Sequence, residues 1–296
     1  MGATAATVEV VEVATCDLCQ DARFDEIYSG LDHPGKRPLR IVRCLRCGLM
    51  TQSPRRTTAS AEVHYSQLDN AAAMDASMAE RRSAFDLDLA RLERLTAGRR
   101  LLDVGCASGE FLRAARDRGW DVWGVEPTEA CAAFARDRLG LRVRTGVLSA
   151  SDWDAQRFDA VTLSFVLEHI PDPLGVIREA LAALAPGGVL FLMVPNCGAL
   201  AVRLRLILGR FRGSREADAG HAFYFTRETL GGFVAKGGGR VLRVRDGIGG
   251  GLVVRRLPPA LARPSLPLLA ALDSLDWMTS VPRLGTTLRV WAARAS

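Results

Sequence analysis

The sequence predicts an α/β protein, a sheet of mostly parallel strands with helices on both faces, preceded by a small cysteine-rich unit. Three observations carry that reading. Between residues 100 and 194, short apolar runs alternate with stretches of helical period, the rhythm of right-handed βαβ units. The first run passes through Asp103 into a small-residue turn, Gly105-Cys106-Ala107-Ser108-Gly109, and the second ends in Glu126. Ahead of both lie Cys16, Cys19, Cys44 and Cys47, two C-x2-C pairs separated by 24 residues.

Bulk properties bound the answer. The 296 residues have room for one large α/β domain and an appendage. The net charge is +6, but Lys36 and Lys236 are the only lysines and the arginines are dispersed, with no compact basic run, which argues against a nucleic-acid partner. Residues 1–15 lack the basic start and apolar centre of a signal peptide. Ala6 breaks a myristoylation pattern after Gly2. There is no apolar run of about 18 residues to span a membrane. The expected location is the cytoplasm, where thiols stay reduced.

Taken in order, residues 1–12 read as a loose leader or edge strand. Residues 13–52 read as a zinc ribbon, with a strand at 39–44 running into the second knuckle and Gly48 allowing it to turn. Four thiolates supply a closed tetrahedral Zn²⁺ site with no open position, so its role is structural; two disulfides or unrelated cysteines are the alternatives. Residues 53–66 form a polar connector. Residues 73–96 are helical, with Phe85, Leu89, Leu92 and Leu95 at helical spacing. Strands follow near 100–104, 121–125, 141–145, 158–164 and 188–194, with helices near 109–118, 128–138 and 173–185. Residues 198–212 suit a basic amphipathic helix, and residues 226–236 a helix opened by Thr226. Strands near 240–246 and 286–292 close the pattern. Residues 257–285 are rich in Pro and Leu and partly helical.

From about residue 98 to 196 the motifs resemble those of the class I S-adenosylmethionine (SAM)-dependent methyltransferases in order and spacing. They are Asp103-x-Gly105-x-Ala107-x-Gly109, Glu126-Pro127, the run from Phe158-Asp159 through Glu168-His169-Ile170-Pro171-Asp172-Pro173, and Pro186-Gly187-Gly188. His221-x-Phe223-x-Phe225-Thr226 is similar to a later segment of the ubiquinone-biosynthesis-like branch. The resemblance implies a Rossmann-like seven-stranded sheet in the order 3-2-1-4-5-7-6. It divides the chain into a ribbon and connector at 1–66 and a methyltransferase domain at 67–296, with acceptor-side insertions near 197–225 and 257–285.

It also implies a SAM site. Asp103, Gly105, Cys106, Ala107 and Gly109 form the turn, and Glu126 accepts from both ribose hydroxyls beside Pro127. Val147, Leu148 and Phe165 are further cofactor-binding positions, and Tyr65 lies against the methionine end. Two departures stand out. Ala107 occupies a position where many relatives have Gly. Gly146-Val147-Leu148 lacks the Asp that often binds the adenine amino group, leaving backbone, Ser149 or Asp152 for that contact.

Methyl transfer asks the protein to align donor and acceptor and, for a hydroxyl or amine, to take a proton. His169, after the fourth strand, and His221 are the candidate catalytic bases. The alternatives are that His169 orders its loop and that His221 caps or packs. Arg81 and Arg82 could pair with the SAM carboxylate or form a solvated face. The helix at 198–212 could cap the acceptor, touch an anionic lipid surface or lie on the protein surface. The resulting expectation is O-methylation of a small-molecule, sugar or carrier-linked intermediate. The rivals are an RNA base methyltransferase and a non-catalytic SAM-binding or zinc-scaffold protein.

Overall fold

The structure, a computed structural model, describes residues 9–32, 37–67, 82–153, 157–207, 220–247 and 285–295. Its centre is a seven-stranded sheet. Four strands are consecutive and parallel: β6 (Arg100–Val104), β7 (Asp121–Glu126), β8 (Val143–Thr145) and β9 (Phe158–Ser164). β10 (Leu184–Pro195) continues them in parallel, and β12 (Gly239–Gly247) and β13 (Thr287–Arg294) add an antiparallel edge. The spatial order β8-β7-β6-β9-β10-β13-β12 is the expected 3-2-1-4-5-7-6.

Successive side chains on these strands enter opposite cores, as a period of two requires. Leu102, Val161, Leu163, Leu190 and Leu192 pack with Ile177, Leu181 and Phe233 on one face. Leu101, Ala160, Phe191 and Met193 pack with Leu89, Leu92, Phe111 and Leu112 on the other. The helices supplying those partners are α2 (Arg82–Leu95), α3 (Glu110–Asp117), α4 (Glu129–Leu139), α5 (Pro173–Ala182) and, after α6 (Leu200–Ile207), α7 (Arg227–Lys236). Asp172 caps α5, accepting from the Gly175 N–H at 2.9 Å, with Pro173 in the first turn.

The N-terminal unit is built on an antiparallel sheet of β2 (Phe24–Leu31), β3 (Pro38–Cys44) and β4 (Met50–Gln52). A fourth strand, β11 (Phe223–Tyr224), comes from far along the chain and pairs with β4, Phe223 opposite Thr51 and Tyr224 opposite Met50. Neither β2 nor β11 is legible as a strand in the sequence. A register shift between Glu26 and Tyr28 breaks the alternation of β2, and β11 is two residues long.

Two expectations are corrected, and a third is described only in part. The 53–66 connector is regular, since Arg55–Arg56 form β5, paired with β1 (Val10–Val11), and Thr58–Ser66 form helix α1. Thr57 starts that helix, its hydroxyl accepting from the Ser60 N–H. The helix expected to reach 185 ends at Ala182, and β10 begins at Leu184 rather than 188. A bulge at Gly187, whose φ is +77°, absorbs the extra residues of Pro186-Gly187-Gly188. The helix expected over 198–212 is described as Leu200–Ile207, and 208–212 lie outside the described residues, as do residues 257–284, Arg81 and the side chain of Arg82.

Candidate functional site

β6 and β7 end side by side, and the turn after β6 is pinned to the strand beside it. The Gly105 N–H donates to the Val125 carbonyl at 2.8 Å. Gly105 has φ +68°, and a Cβ there would sit 2.5 Å from Val166 Cγ2, so only glycine fits. Gly109, at φ +88°, caps α3. Ala107 adopts φ +48°, the left-handed region its usual glycine would occupy freely. The turn keeps its backbone path despite the methyl group.

Glu126 closes the turn. One carboxylate oxygen accepts the Ala107 N–H at 2.9 Å and the other the Thr128 N–H at 3.0 Å. A carboxylate has about four lone-pair directions, so two remain for a ligand. Thr128 also donates its hydroxyl to the Tyr65 carbonyl at 2.8 Å, tying α1 to this loop.

Asp103 stands behind the turn and is 3% exposed. It accepts from the Thr162 hydroxyl at 2.6 Å. Burial pushes its carboxyl up to about 7, against the Thr162 hydrogen bond and with a further push from Glu126. Cys106 is buried too, and burial drives its thiol well above the usual range.

The turn opens onto a cavity of ≈ 660 Å³, within the span of about 300–1,000 Å³ usual for small-molecule sites. Of the residues expected to contact SAM, Tyr65, Gly105, Ala107, Glu126, Pro127, Val147, Leu148 and Phe165 line it. Asp103, Cys106 and Gly109 are not on its wall. Phe165 is held at φ +57° with its N–H donating to the Met193 carbonyl at 2.7 Å. A bulky side chain in that region is strained, a feature that concentrates at ligand sites. Ser149 and Asp152 are not brought to the cavity: Ser149 pairs with Ser151, and Asp152 with Arg144, whose guanidinium holds its carboxyl below the usual range.

The described lining carries Glu62, Glu126, Glu168, Asp172 and Glu179 and no lysine or arginine, in a chain of net charge +6. That local field suits a ligand with positive charge, and SAM carries a sulfonium and an ammonium. The glycine turn, the free lone pairs of Glu126 and this acidic lining together fit SAM.

The same cavity is lined by two histidines. His169 ends a single 3₁₀ turn, Leu167–His169, directly after β9. Its Nδ1 lies 3.0 Å from the Gly220 carbonyl oxygen, which can only accept. Nδ1 therefore carries the hydrogen, and Nε2 of the neutral ring is the open acceptor. His221 follows at a ring separation of 4.8 Å, and Tyr65 stands 5.9 Å from His169 on the other side. Glu168 completes the group, its Oε1 3.9 Å from His169 Nε2. The Ala222 N–H donates to the Glu168 carbonyl at 2.7 Å, stitching the two histidine-bearing loops together.

The four ribbon cysteines also converge, with every Sγ within 4.8 Å of the others. Cys16–Cys47 and Cys19–Cys44 each stand 3.5 Å apart, too far for disulfides. A tetrahedral thiolate site with metal–sulfur bonds of about 2.3 Å has sulfurs about 3.8 Å apart, so a zinc ion fits. Each knuckle turns through a left-handed residue after its second cysteine, Gln20 at φ +62° and Gly48 at φ +73°. Without a cation, burial drives the Cys16 thiol well up and Cys47 to about 11. For Cys44 burial is outweighed by backbone N–H donors from Cys47 and Arg46, which bring it below its usual value.

Sequence reasoning missed Glu62, Thr128 and Glu179. Glu62 sits on the unanticipated α1, and Glu179 faces the cavity only because α5 packs beside the 147–150 loop, where it accepts the Ala150 N–H. Thr128 had a signal, its place two residues beyond Glu126.

A family profile described as "Methyltransferase domain" matches residues 78–243, more than half of the chain. The chain belongs to that methyltransferase family. Among curated proteins it is 36% identical over 106 residues to the ubiquinone biosynthesis O-methyltransferase of Stutzerimonas stutzeri, covering 34% of this chain and 46% of that one. It is 32% identical over 171 residues to the protein of that name from Xanthomonas campestris pv. campestris, covering 52% and 71%. The chain thus spans about half the length of most of the curated relatives it matches. A solved magnesium protoporphyrin IX methyltransferase from Synechocystis, with SAH bound, aligns at a TM-score of 0.48 and 17% identity over 73% of this chain and 84% of that one.

Proposed function

We propose that this chain transfers the methyl group of SAM to a hydroxyl of a small-molecule, sugar or carrier-linked acceptor. The observation that carries the reading is one cavity lined by both the Glu126-braced turn and the His169–His221 pair. The ubiquinone biosynthesis O-methyltransferases it resembles, named for transfer to oxygen, support the choice of acceptor atom. When bound, SAM supplies a methyl already activated on a sulfonium.

The remaining work belongs to the chain. Gly105 and Ala107 admit the donor close to the backbone, Glu126 holds its ribose, and Val147, Leu148 and Phe165 enclose the adenosyl end. Tyr65 stands by the methionine end. His169, its Nδ1–H fixed on Gly220, offers Nε2 to the acceptor hydroxyl, and His221 shares the same space as second base. Positioning of donor and acceptor contributes several kcal/mol on its own.

Residues 1–66 form the ribbon and connector, with one structural Zn²⁺ on Cys16, Cys19, Cys44 and Cys47, and residues 67–296 form the transfer domain. Among the described residues no helix is long and apolar enough to cross a membrane. Reduced thiols in the knuckles suit the cytoplasm.

Calorimetry with SAM and NAD tests the donor. SAM binding is expected, with a loss of roughly 100-fold for Glu126→Ala. Binding of NAD without SAM overturns the proposal. A panel of hydroxyl and amine acceptors with methyl-labelled SAM tests the acceptor class. In His169→Gln, kcat is expected to fall roughly 100-fold with SAM affinity near wild type.

A further inference from the structure

The segment that carries His221 is held from behind by the N-terminal unit. β11 is a strand of the ribbon's sheet, and among the described residues its neighbour there is β4. Just before β11, the Ala222 peptide is held from both sides. Its carbonyl accepts the Gln52 N–H at 3.0 Å and the Thr51 hydroxyl at 2.8 Å. Its N–H donates to the Glu168 carbonyl. Ala222 therefore lies between the ribbon and the loop of His169, with His221 attached to it.

Thr51 is 1% exposed and is fixed in turn. Its oxygen accepts from Arg55 Nη1 at 3.1 Å, and of the two carbonyls within reach of its proton, Ala222 at 2.8 Å is nearer than Gln52 at 3.3 Å. The same guanidinium forms a two-pronged pair with Asp17, one prong at 2.9 Å, and lies 4.7 Å over the Phe223 ring. Asp17 follows Cys16 inside the first knuckle, and Lys236 Nζ donates to the carbonyls of Asp17 and Leu18 at 2.9 Å each. An unbroken path of polar contacts thus runs from the knuckle through Asp17, Arg55, Thr51 and Ala222 to the His169 loop.

We propose that Thr51 is a positioning residue that sets the spacing of the His169–His221 pair, held in place by the first cysteine knuckle through Asp17 and Arg55. The ribbon then supports the acceptor wall from behind, with none of its own described residues on the lining. The inference rests on the reading that these histidines face the acceptor. The hydroxyl at residue 51 supplies the second and shorter of the two bonds that the Ala222 carbonyl receives. Valine has the same shape and would leave the second one unmade.

The test reads the histidines directly. The chain has four, so their ring resonances can be assigned by single substitutions. Cross-relaxation between the His169 and His221 ring protons reports their contact in the full chain, with zinc present and SAM added. Thr51→Val should lose this contact while SAM affinity stays within about twofold, and Thr51→Ser should restore it. Arg55→Gln, at a less buried position, should weaken the same contact and supplies the answer if Thr51→Val does not fold. Methyl transfer should fall roughly tenfold or more with the contact, in kcat rather than in the KM for SAM. Wild-type ring contact in both Thr51→Val and Arg55→Gln overturns the proposal. Loss of the contact with unchanged methyl transfer upholds Thr51 as the spacer and overturns the catalytic reading of the histidines.

Discussion

Ala107 sits where a side chain is least welcome, and the conformation is held by what surrounds it. Its N–H must reach Glu126, so the residue accepts a left-handed φ that costs an L-residue about 1 kcal/mol. Ala107→Gly removes that cost and adds back freedom in the unfolded chain. The expected net is a gain of about 0.5 kcal/mol in denaturant unfolding, with SAM affinity unchanged. Asp103 makes stability depend on pH. Its carboxyl is raised to about 7 in the fold against 3.8 outside it. Between those values the native state binds more protons than the unfolded one, so this group's contribution to stability is full below about pH 4 and is lost as pH rises through 7. Asp103→Asn should flatten that slope in unfolding measured from pH 4 to pH 8. A slope unchanged in the variant would place the pH sensitivity elsewhere.

At the level of elements, α7 is positioned by a reciprocal cap. The Thr226 hydroxyl accepts the Thr229 N–H, and the Thr229 hydroxyl accepts the Thr226 N–H at 2.9 Å. Thr226→Ala should cost about 1 kcal/mol in thermal unfolding. Because α7 carries Lys236, which holds the first knuckle, zinc release by a chelator should also quicken in this variant. What the sequence discloses follows how local the cause is. The βαβ rhythm, the Gly105–Gly109 turn with Glu126, and the two knuckles are written in short windows, and each appears where expected. β11 has no local cause, being two residues that become a strand only because β4 offers them an open edge. β2 hides behind its register shift, and Glu179 reaches the cavity through the packing of α5 beside the 147–150 loop, a contact between separate segments. The histidines were legible as candidates, while the carbonyl of Gly220 that fixes the tautomer of His169 was not.

Across the whole molecule the cysteine unit and the large sheet share one apolar core. Cys16, Cys44 and Leu49 belong to the same buried cluster as Phe223, Phe225, Leu230 and Phe233. Metal loss is therefore expected to reach the cavity. Cys44→Ser, or removal of zinc by a chelator, should lower the melting temperature of the entire chain in one cooperative transition. Hydrogen exchange should quicken at Ala222 and Phe223 together with the knuckles. A first transition confined to residues before 53, with exchange at Ala222 unaltered, would separate the two units. Metal analysis should find about one zinc per chain in the wild type and markedly less in Cys44→Ser.

The pairing of β4 with β11 also sets a schedule for synthesis. Thr51 meets the Ala222 carbonyl across 171 residues of chain. At about 5–20 residues per second, a ribosome takes roughly 10–30 s to deliver the second partner after the first. Through that interval the nascent ribbon carries its cysteines and an unpaired β4 edge, the kind of surface that recruits foreign strands. Early capture of metal by the knuckles would hold β3 and β4 in register while the edge waits. The last partner to arrive brings His221 with it, so the pocket is completed only when the bulk of the polypeptide has left the exit tunnel.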